Sequence, residues 1–128
     1  MTLNDLKRLR SLNREIEYEK KRLHALKKKG DYVSLIGVGM VSREEYSLQI
    51  KALEDAIKRH LDECMALYNE INQFISSLDD PFIRLIISLK HVNGLEWEQI
   101  AMHIGGGNTA ESVRKAYSRF VKKHFSSL

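Results

Sequence analysis

The segment from residue 108 to residue 123 carries side chains suited to bind a polyanion and to recognise hydrogen-bonding groups on it. It contains five lysines and arginines but a single acid, Glu111. On duplex DNA, an arginine can bond a guanine edge through two hydrogen bonds, a glutamate can accept from a cytosine amine, and lysines can neutralise phosphates without reading sequence. The candidate DNA-contacting residues are Asn108, Thr109, Ala110, Glu111, Ser112, Arg114, Lys115, Ser118, Arg119, Lys122 and Lys123.

Helical periodicity predicts that a single helix, residues 109–123, positions these side chains. Apolar and aromatic residues recur there at three- and four-residue spacing, so one stripe should be buried and the cations should lie on the remainder. Asn108 and Thr109 fall at the helix N-terminus, where free N–H groups suit a phosphate oxygen, and capping is their alternative role. For the cations, the alternative is an ordinary solvated helix face. The stripe consists of Val113, Ala116, Tyr117, Phe120 and His124.

Two shorter helices are predicted before this one. Asp79-Asp80-Pro81 should begin the first, because a carboxylate can cap it and proline loses no hydrogen bond at the first helical position. Asn93-Gly94 should end it, since both residues tolerate a left-handed backbone. The apolar positions of this helix are Phe82, Leu85, Ile86 and Leu89.

The next helix is predicted from about Glu96 to Ile104. Trp97, Ile100, Ala101 and Ile104 share one face, which makes the tryptophan a core anchor rather than an exposed platform for a base. Ala101 offers a nearly bare backbone, as two helices crossing at a tight turn require. Gly105-Gly106-Gly107 supplies the turn, so residues 79–125 follow the plan of a helix-turn-helix.

These residues resemble the fourth conserved region of bacterial RNA polymerase sigma factors, which reads a promoter element. The resemblance covers roughly residues 79 to 125 and is carried by Trp97-Glu98-Gln99-Ile100-Ala101, the glycine turn and the residues from Thr109 to Lys115. A wider combination of features is similar to small sigma-region-four-like regulators of phages and prophages of Gram-positive bacteria. It consists of an N-terminal helical hairpin, Leu78-Asp79-Asp80-Pro81, the residues from Val92 to Trp97 and Ser112-Val113-Arg114.

The resemblance implies specific roles. Thr109 would meet a phosphate, Glu111 would face a base edge, and Arg114 and Lys115 would lie in the major groove. Sigma regions usually carry basic residues on both sides of that glutamate, where this chain has Ala110 and Ser112. The promoter preference of the family is therefore not carried over.

Heptad spacing organises the N-terminal part. A helix is predicted over residues 3–29 and should end at Gly30-Asp31. Its apolar residues form one seam along the helix, which Glu19 interrupts. A second helix is predicted over 43–78. The first is basic and the second acidic, which favours an antiparallel hairpin. The second helix is longer, and its excess should pack on the C-terminal domain, a second copy or another protein. The seams are Leu9, Leu12, Ile16, Leu23 and Leu26, then Tyr46, Ile50, Leu53, Ile57, His60, Cys64, Leu67, Ile71, Phe74 and Leu78.

The remaining segments offer little chemistry. The apolar connector from Tyr32 to Val41 is expected to fold over the end of the hairpin; a short strand pair and a partner contact are the alternatives. His60 and Cys64 lie four residues apart, but a zinc site needs three or four ligands and no further Cys or His has matching spacing, so packing is the favoured role. We expect no cofactor, no metal and no enzymatic activity.

Length, charge and hydropathy bound the remaining possibilities. The chain has 128 residues and a formal charge of +4, with its cations concentrated at both ends. No stretch approaches the ~20 apolar residues of a membrane span, and the N-terminus lacks a secretory apolar core. One cysteine permits no internal disulfide. We therefore expect a cytoplasmic protein with no membrane partner.

Together these patterns predict an all-α protein: an antiparallel, coiled-coil-like hairpin at residues 1–78 and a sigma-region-four-like helix-turn-helix bundle at 79–128. The predicted function is sequence-specific binding of duplex DNA to regulate transcription. The alternative is a protein-protein adaptor that binds RNA polymerase or another regulator without DNA specificity of its own. A homodimer formed through the hairpin is a further expected partner arrangement.

Overall fold

The computed structural model describes the backbone of residues 1–36 and 43–125, and the side chains of all of these except residues 31–36. These residues form helices joined by short connections, and no strand occurs among them. The all-α prediction is confirmed. The helices are α1 (Leu3–Ile36), α2 (Arg43–Ser77), α3 (Pro81–Ile87), continued by a π-helical turn at Ser88–Val92, α4 (Trp97–Ile104) and α5 (Ala110–Phe125). Within the described ranges, no helix is both long and apolar enough to cross a membrane.

The predicted end of the first helix at Gly30-Asp31 is wrong. α1 continues through Gly30 to Ile36, because a glycine inside a helix costs only about 1 kcal/mol relative to alanine and does not by itself stop it. A Cβ built on Gly30 would lie 3.9 Å from Tyr46 Cβ, an ordinary packing distance. The side chains of residues 31–36 and the whole of 37–42 lie outside the described residues, and with them the predicted role of the connector.

The chain packs as two compact units. One, here called the central unit, is Leu12–Met65; the other, the terminal unit, combines Met1–Ser11 with Ala66 onward. The predicted domain boundary between residues 78 and 79 falls inside the terminal unit. The division into two domains at this boundary stays a prediction.

In the central unit, side chains of α1 contact side chains of α2 in opposite sequence order. Cys64 Sγ donates to Asn13 Oδ1 over 3.0 Å, and further along the pair Lys27 Nζ lies 3.9 Å from a carboxylate oxygen of Glu54. The predicted α2 seam residues in this unit are all at least half-buried. Among the described side chains of the unit, the buried apolar ones are Leu12, Ile16 and Ile57.

Glu19, predicted as an interruption of the seam, is buried rather than solvated. Only 8% of the residue is exposed, and its Oε1 lies 2.7 Å from Nδ1 of His60. A buried carboxylate without a partner would be costly, so the imidazole on the facing helix is what makes this position tolerable.

The terminal unit holds the larger apolar core. Within it, α5 packs against both α3 and α4, and the start of α1 and the end of α2 add leucines and isoleucines. Ala101 is 6% exposed, which confirms the expectation of a buried small residue on α4. The core residues are Leu6, Leu9, Leu67, Ile71, Ile75, Ile83, Ile86, Ile87, Leu89, Ile100, Ala101 and Val113.

The predicted buried face of α3 is partly wrong. Leu85 is 40% exposed, whereas Ile83 and Ile87, which the spacing did not select, are buried. Nearly every residue of this segment is apolar, so periodicity alone cannot choose its face. The π-helical turn that follows, marked by the hydrogen bond from Asn93 N to Ser88 O (3.0 Å), also changes the helical phase.

The predicted start of α3 is confirmed. Asp80 is the N-cap, its Oδ1 accepts a hydrogen bond from Phe82 N at 2.9 Å, and Pro81 occupies the first helical position. Nη1 of Arg84 donates to the Leu78 carbonyl at 2.6 Å and so ties the first turn of α3 to the residue that directly follows α2.

Buried His91 links three parts of the terminal unit. It is 3% exposed, and its Nε2 lies 2.7 Å from the Tyr117 hydroxyl on α5. Burial, followed by the charge of Lys90, lowers the pKa of His91 from 6.5 to about 4, while a hydrogen bond to the backbone of Leu6 opposes the shift. The imidazole is therefore neutral at pH 7.

Replacing the capping carboxylate should weaken the terminal unit. We expect Asp80→Ala to lower the free energy of unfolding by about 1 kcal/mol, because the N–H of Phe82 loses its acceptor. Asp79→Ala removes the same charge one residue earlier and should cost clearly less. Chemical denaturation of both variants tests this, and equal losses would contradict the capping role.

Folding stability should fall with acid because of His91. The unfolded imidazole takes up a proton near pH 6.5 and the folded one only near pH 4, so stability is complete above pH 6.5 and declines between these values. At about 1.4 kcal/mol per pKa unit, the loss reaches at most about 3 kcal/mol.

The measurement is denaturation of the parent, His91→Gln and, as a control, His103→Gln, whose imidazole is exposed, at several pH values from 4 to 8. The acid-dependent loss should shrink only in His91→Gln. An NMR titration that places the pKa of His91 near 6.5 would contradict the assignment.

Candidate nucleic-acid interface

The connection before α5 is a closed turn built on three glycines. Gly105, Gly106 and Gly107 have φ angles of 70°, 65° and 79°, a left-handed region that side chains with a Cβ rarely adopt. Gly105 N donates to Ala101 O at 2.9 Å and ends α4, while Nδ2 of Asn108 donates to Gly105 O at 2.9 Å. The turn thus has one defined backbone path from α4 into α5.

The N-terminus of α5 is capped by a reciprocal pair. Thr109 Oγ1 accepts from Ser112 N at 3.1 Å, and Ser112 Oγ accepts from Thr109 N at 2.9 Å. Capping is therefore confirmed as a role of Thr109, and Asn108 serves the turn. Ser112 was not predicted as the capping partner; a hydroxyl residue three positions after Thr109 is the signal that indicates it.

One face of α5 is fixed against the core of the terminal unit. Val113 is completely buried, and Tyr117 is half-buried with its ring centroid 5.0 Å from that of Trp97. Nζ of Lys90 lies 4.5 Å from the Trp97 ring centroid. The tryptophan is thus an anchor between helices, as predicted. The desolvation that accompanies burial raises the pKa of Tyr117.

The end of the predicted stripe lies closer to solvent than expected. His124 is exposed, yet its ring stacks on Phe120 with centroids 5.1 Å apart and meets Phe74 edge-on at 5.4 Å. These rings hold the last turns of α5 against the end of α2, within the same unit.

The opposite face of α5 collects the candidate residues. Successive helical positions are about 100° apart, so these side chains span a continuous half of the helix surface from Arg114 round to Lys123. Ala110 and Asn108 are half-buried, and Thr109 is exposed beside the face. The exposed face residues are Glu111, Ser112, Arg114, Lys115, Ser118, Arg119, Lys122 and Lys123; the name "α5 face" refers to this set below.

The only acid of the α5 face is paired within it. Glu111 Oε1 lies 3.3 Å from Lys115 Nζ, four residues along the helix, and the two side chains are 67% and 55% exposed. An exposed pair of this kind is weak and is readily exchanged for other partners. Both side chains can therefore turn to an approaching ligand at little cost.

Two basic residues of the α5 face also line a cleft. Arg119 and Lys123 line a cleft of about 670 Å³, whose other lining residues include Asp79, Asp80 and Phe82 around the start of α3. The aspartates reduce the positive potential at this edge. The middle of the face, around Arg114 and Lys115, does not line this cleft.

No family model, curated protein or solved structure matches this chain.

Proposed function

We propose that the protein is a sequence-specific binder of duplex DNA that regulates transcription, with α5 as its reading helix. The observation that carries the proposal is the two-sided character of α5. Val113 is fully buried on one side, while the other side exposes five cations, one acid and two serines in a continuous half-circumference.

The proposed mechanism is insertion of α5 into the major groove. The groove is about 12 Å wide and a helix with its side chains is about 10–12 Å across, so the exposed half can reach base edges. Glu111, Arg114, Lys115 and Ser118 occupy the first turns and would approach the bases. On binding, the Lys115–Glu111 pair would open, leaving the lysine for a guanine and the glutamate for a cytosine amine.

The later cations would hold the helix in register. Arg119, Lys122 and Lys123 would contact phosphates, which carry no sequence information but fix the orientation of the protein. Thr109 and Asn108 are already engaged in the cap and the turn. A phosphate would therefore meet the N-terminal backbone of α5, with Thr109 as an auxiliary contact.

In this proposal α3, α4 and α5 form a sigma-region-four-like helix-turn-helix within residues 79–128, and α1 with α2 forms an antiparallel hairpin. The closed glycine turn and the buried Ala101 support the first assignment. The opposite sequence order of the α1–α2 contacts supports the second. A phage-derived regulator acting in the cytoplasm beside RNA polymerase is the biological setting, with homodimerisation assigned to the hairpin.

The alternative is an adaptor that binds RNA polymerase or another regulator without reading DNA. Two observations favour it: Ala110 and Ser112 stand where sigma regions carry basic residues, and Asp79 and Asp80 share a cleft with Arg119 and Lys123. Retention of polymerase on the full chain, without any shift of duplex DNA at low salt, would select it. Catalysis is not part of either proposal.

Arg114 should contribute to sequence choice. On a duplex enriched from a random pool by the parent protein, we expect Arg114→Ala to cost on the order of 1 to 3 kcal/mol, because a bidentate guanine contact is lost. The cost should be smaller on unrelated duplexes. Arg59→Ala, which removes an arginine of α2 that is also exposed, is the matched control. Equal binding by parent and Arg114→Ala on every duplex would refute the docking.

Lys122 should act on affinity rather than sequence. We expect Lys122→Ala to weaken binding by similar factors on enriched and unrelated duplexes, and to reduce the slope of log affinity against log salt by about 1. Fluorescence anisotropy across a series of salt concentrations measures both. An unchanged slope would remove this lysine from the proposed phosphate contacts.

A further inference from the structure

We propose that the central unit contains a binding site for a divalent transition-metal ion of the zinc type, formed by His60 and Glu15 and oriented by Glu19. This site is separate from the α5 face and does not depend on the proposed function. The donor atoms of these three residues all lie within 4.8 Å of one another, and they form the one such group among the described residues.

The two ring nitrogens of His60 have different neighbours. Nδ1 lies 2.7 Å from Oε1 of Glu19, a short hydrogen-bond distance, and Nε2 lies 3.8 Å from Oε1 of Glu15. A carboxylate that accepts from Nδ1–H fixes the neutral imidazole in the tautomer whose lone pair is on Nε2. In that form of the ring, the lone pair faces Oε1 of Glu15 over 3.8 Å, a gap that either a proton on Nε2 or a metal ion can fill.

A metal ion can occupy this gap in place of the proton. Zinc lies about 2.0 to 2.2 Å from nitrogen and carboxylate oxygen ligands, so two donors 3.8 Å apart can bind the same ion. A carboxylate behind a metal-bound histidine is a common arrangement, since it orients the ring and increases its basicity. One imidazole nitrogen and one carboxylate oxygen suit zinc, cobalt or nickel. These are two protein ligands, fewer than the three or four of the usual zinc sites, so water molecules would complete the coordination.

Glu15 and Glu19 differ in burial, and this difference gives them different roles. The side chain of Glu19 is 10% exposed, whereas those of His60 and Glu15 are 24% and 55% exposed. The orienting carboxylate is thus enclosed, and the two ligands lie where an ion and its waters can enter. Because Glu15 belongs to α1 and His60 to α2, the ion would join the two helices and stabilise the central unit when bound.

The residue spacing explains why the sequence did not reveal this site. Glu15 and Glu19 are one turn apart on α1, and their histidine comes from α2, more than 40 positions later. Cys64, the neighbour one turn after His60, instead donates to Asn13. The spacing of Cys and His residues along α2 therefore indicates His60 alone and not its partner ligand Glu15.

The test is calorimetric titration of the metal-free full chain with Zn²⁺, with Co²⁺ absorption as an independent readout of coordination. We expect saturable binding of one ion per chain and a rise in the melting temperature. Glu19→Gln should weaken binding about 10- to 100-fold, Glu15→Gln at least as much, and His60→Gln should abolish it.

Two controls separate this site from other donors. Glu17→Gln removes a neighbouring exposed carboxylate of α1, and Cys64→Ser removes the thiol; both should bind as the parent does. Since Glu15 is largely exposed, its variant should keep the helical circular dichroism of the parent. Absence of binding to the parent, binding that survives Glu15→Gln, or binding lost in Cys64→Ser would each overturn the proposal.

Discussion

The complete burial of Val113 is the constraint on which the account of the interface depends. A helix as polar as α5 would have no preferred orientation in water, but Val113 and the half-buried rings after it fix which side faces α3 and α4. Once this side is fixed, the exposed half is determined by helical geometry. The glycine turn then fixes where α5 begins. Orientation of the charged side chains is thus a consequence of apolar packing on the other side of the same helix.

Local features of this chain could be predicted from sequence because their causes are local. The start of α3 follows from Asp80 and Pro81, the turn before α5 follows from three consecutive glycines, and the α5 face follows from helical periodicity. Each depends on residues within about one turn of one another. The all-α class was accessible for the same reason.

The wrong or missing predictions have two causes: a local signal too weak to determine the structure, and contacts with residues that are distant in the sequence. Gly30 was expected to stop α1, yet its neighbours continue the helix, and propensity is overridden at modest cost. Leu85 was expected to be buried, but an almost wholly apolar segment has no periodic signal, and packing selected Ile83 and Ile87 instead. Glu19 interrupts the apolar seam when α1 is considered alone, because its partner, His60, is on another helix. Likewise, nothing near His91 in the sequence indicated Tyr117.

In the proposed complex, the α5 face enters the major groove and Arg114 meets a guanine there. The experiment to make on this complex is methylation interference: guanine N7 is methylated in a duplex enriched by the protein, and the bound and free fractions are compared. We expect methylation of a particular guanine to block binding of the parent, and we expect this block to be lost in Arg114→Ala. No interference at any guanine, or the same pattern in both proteins, would contradict it.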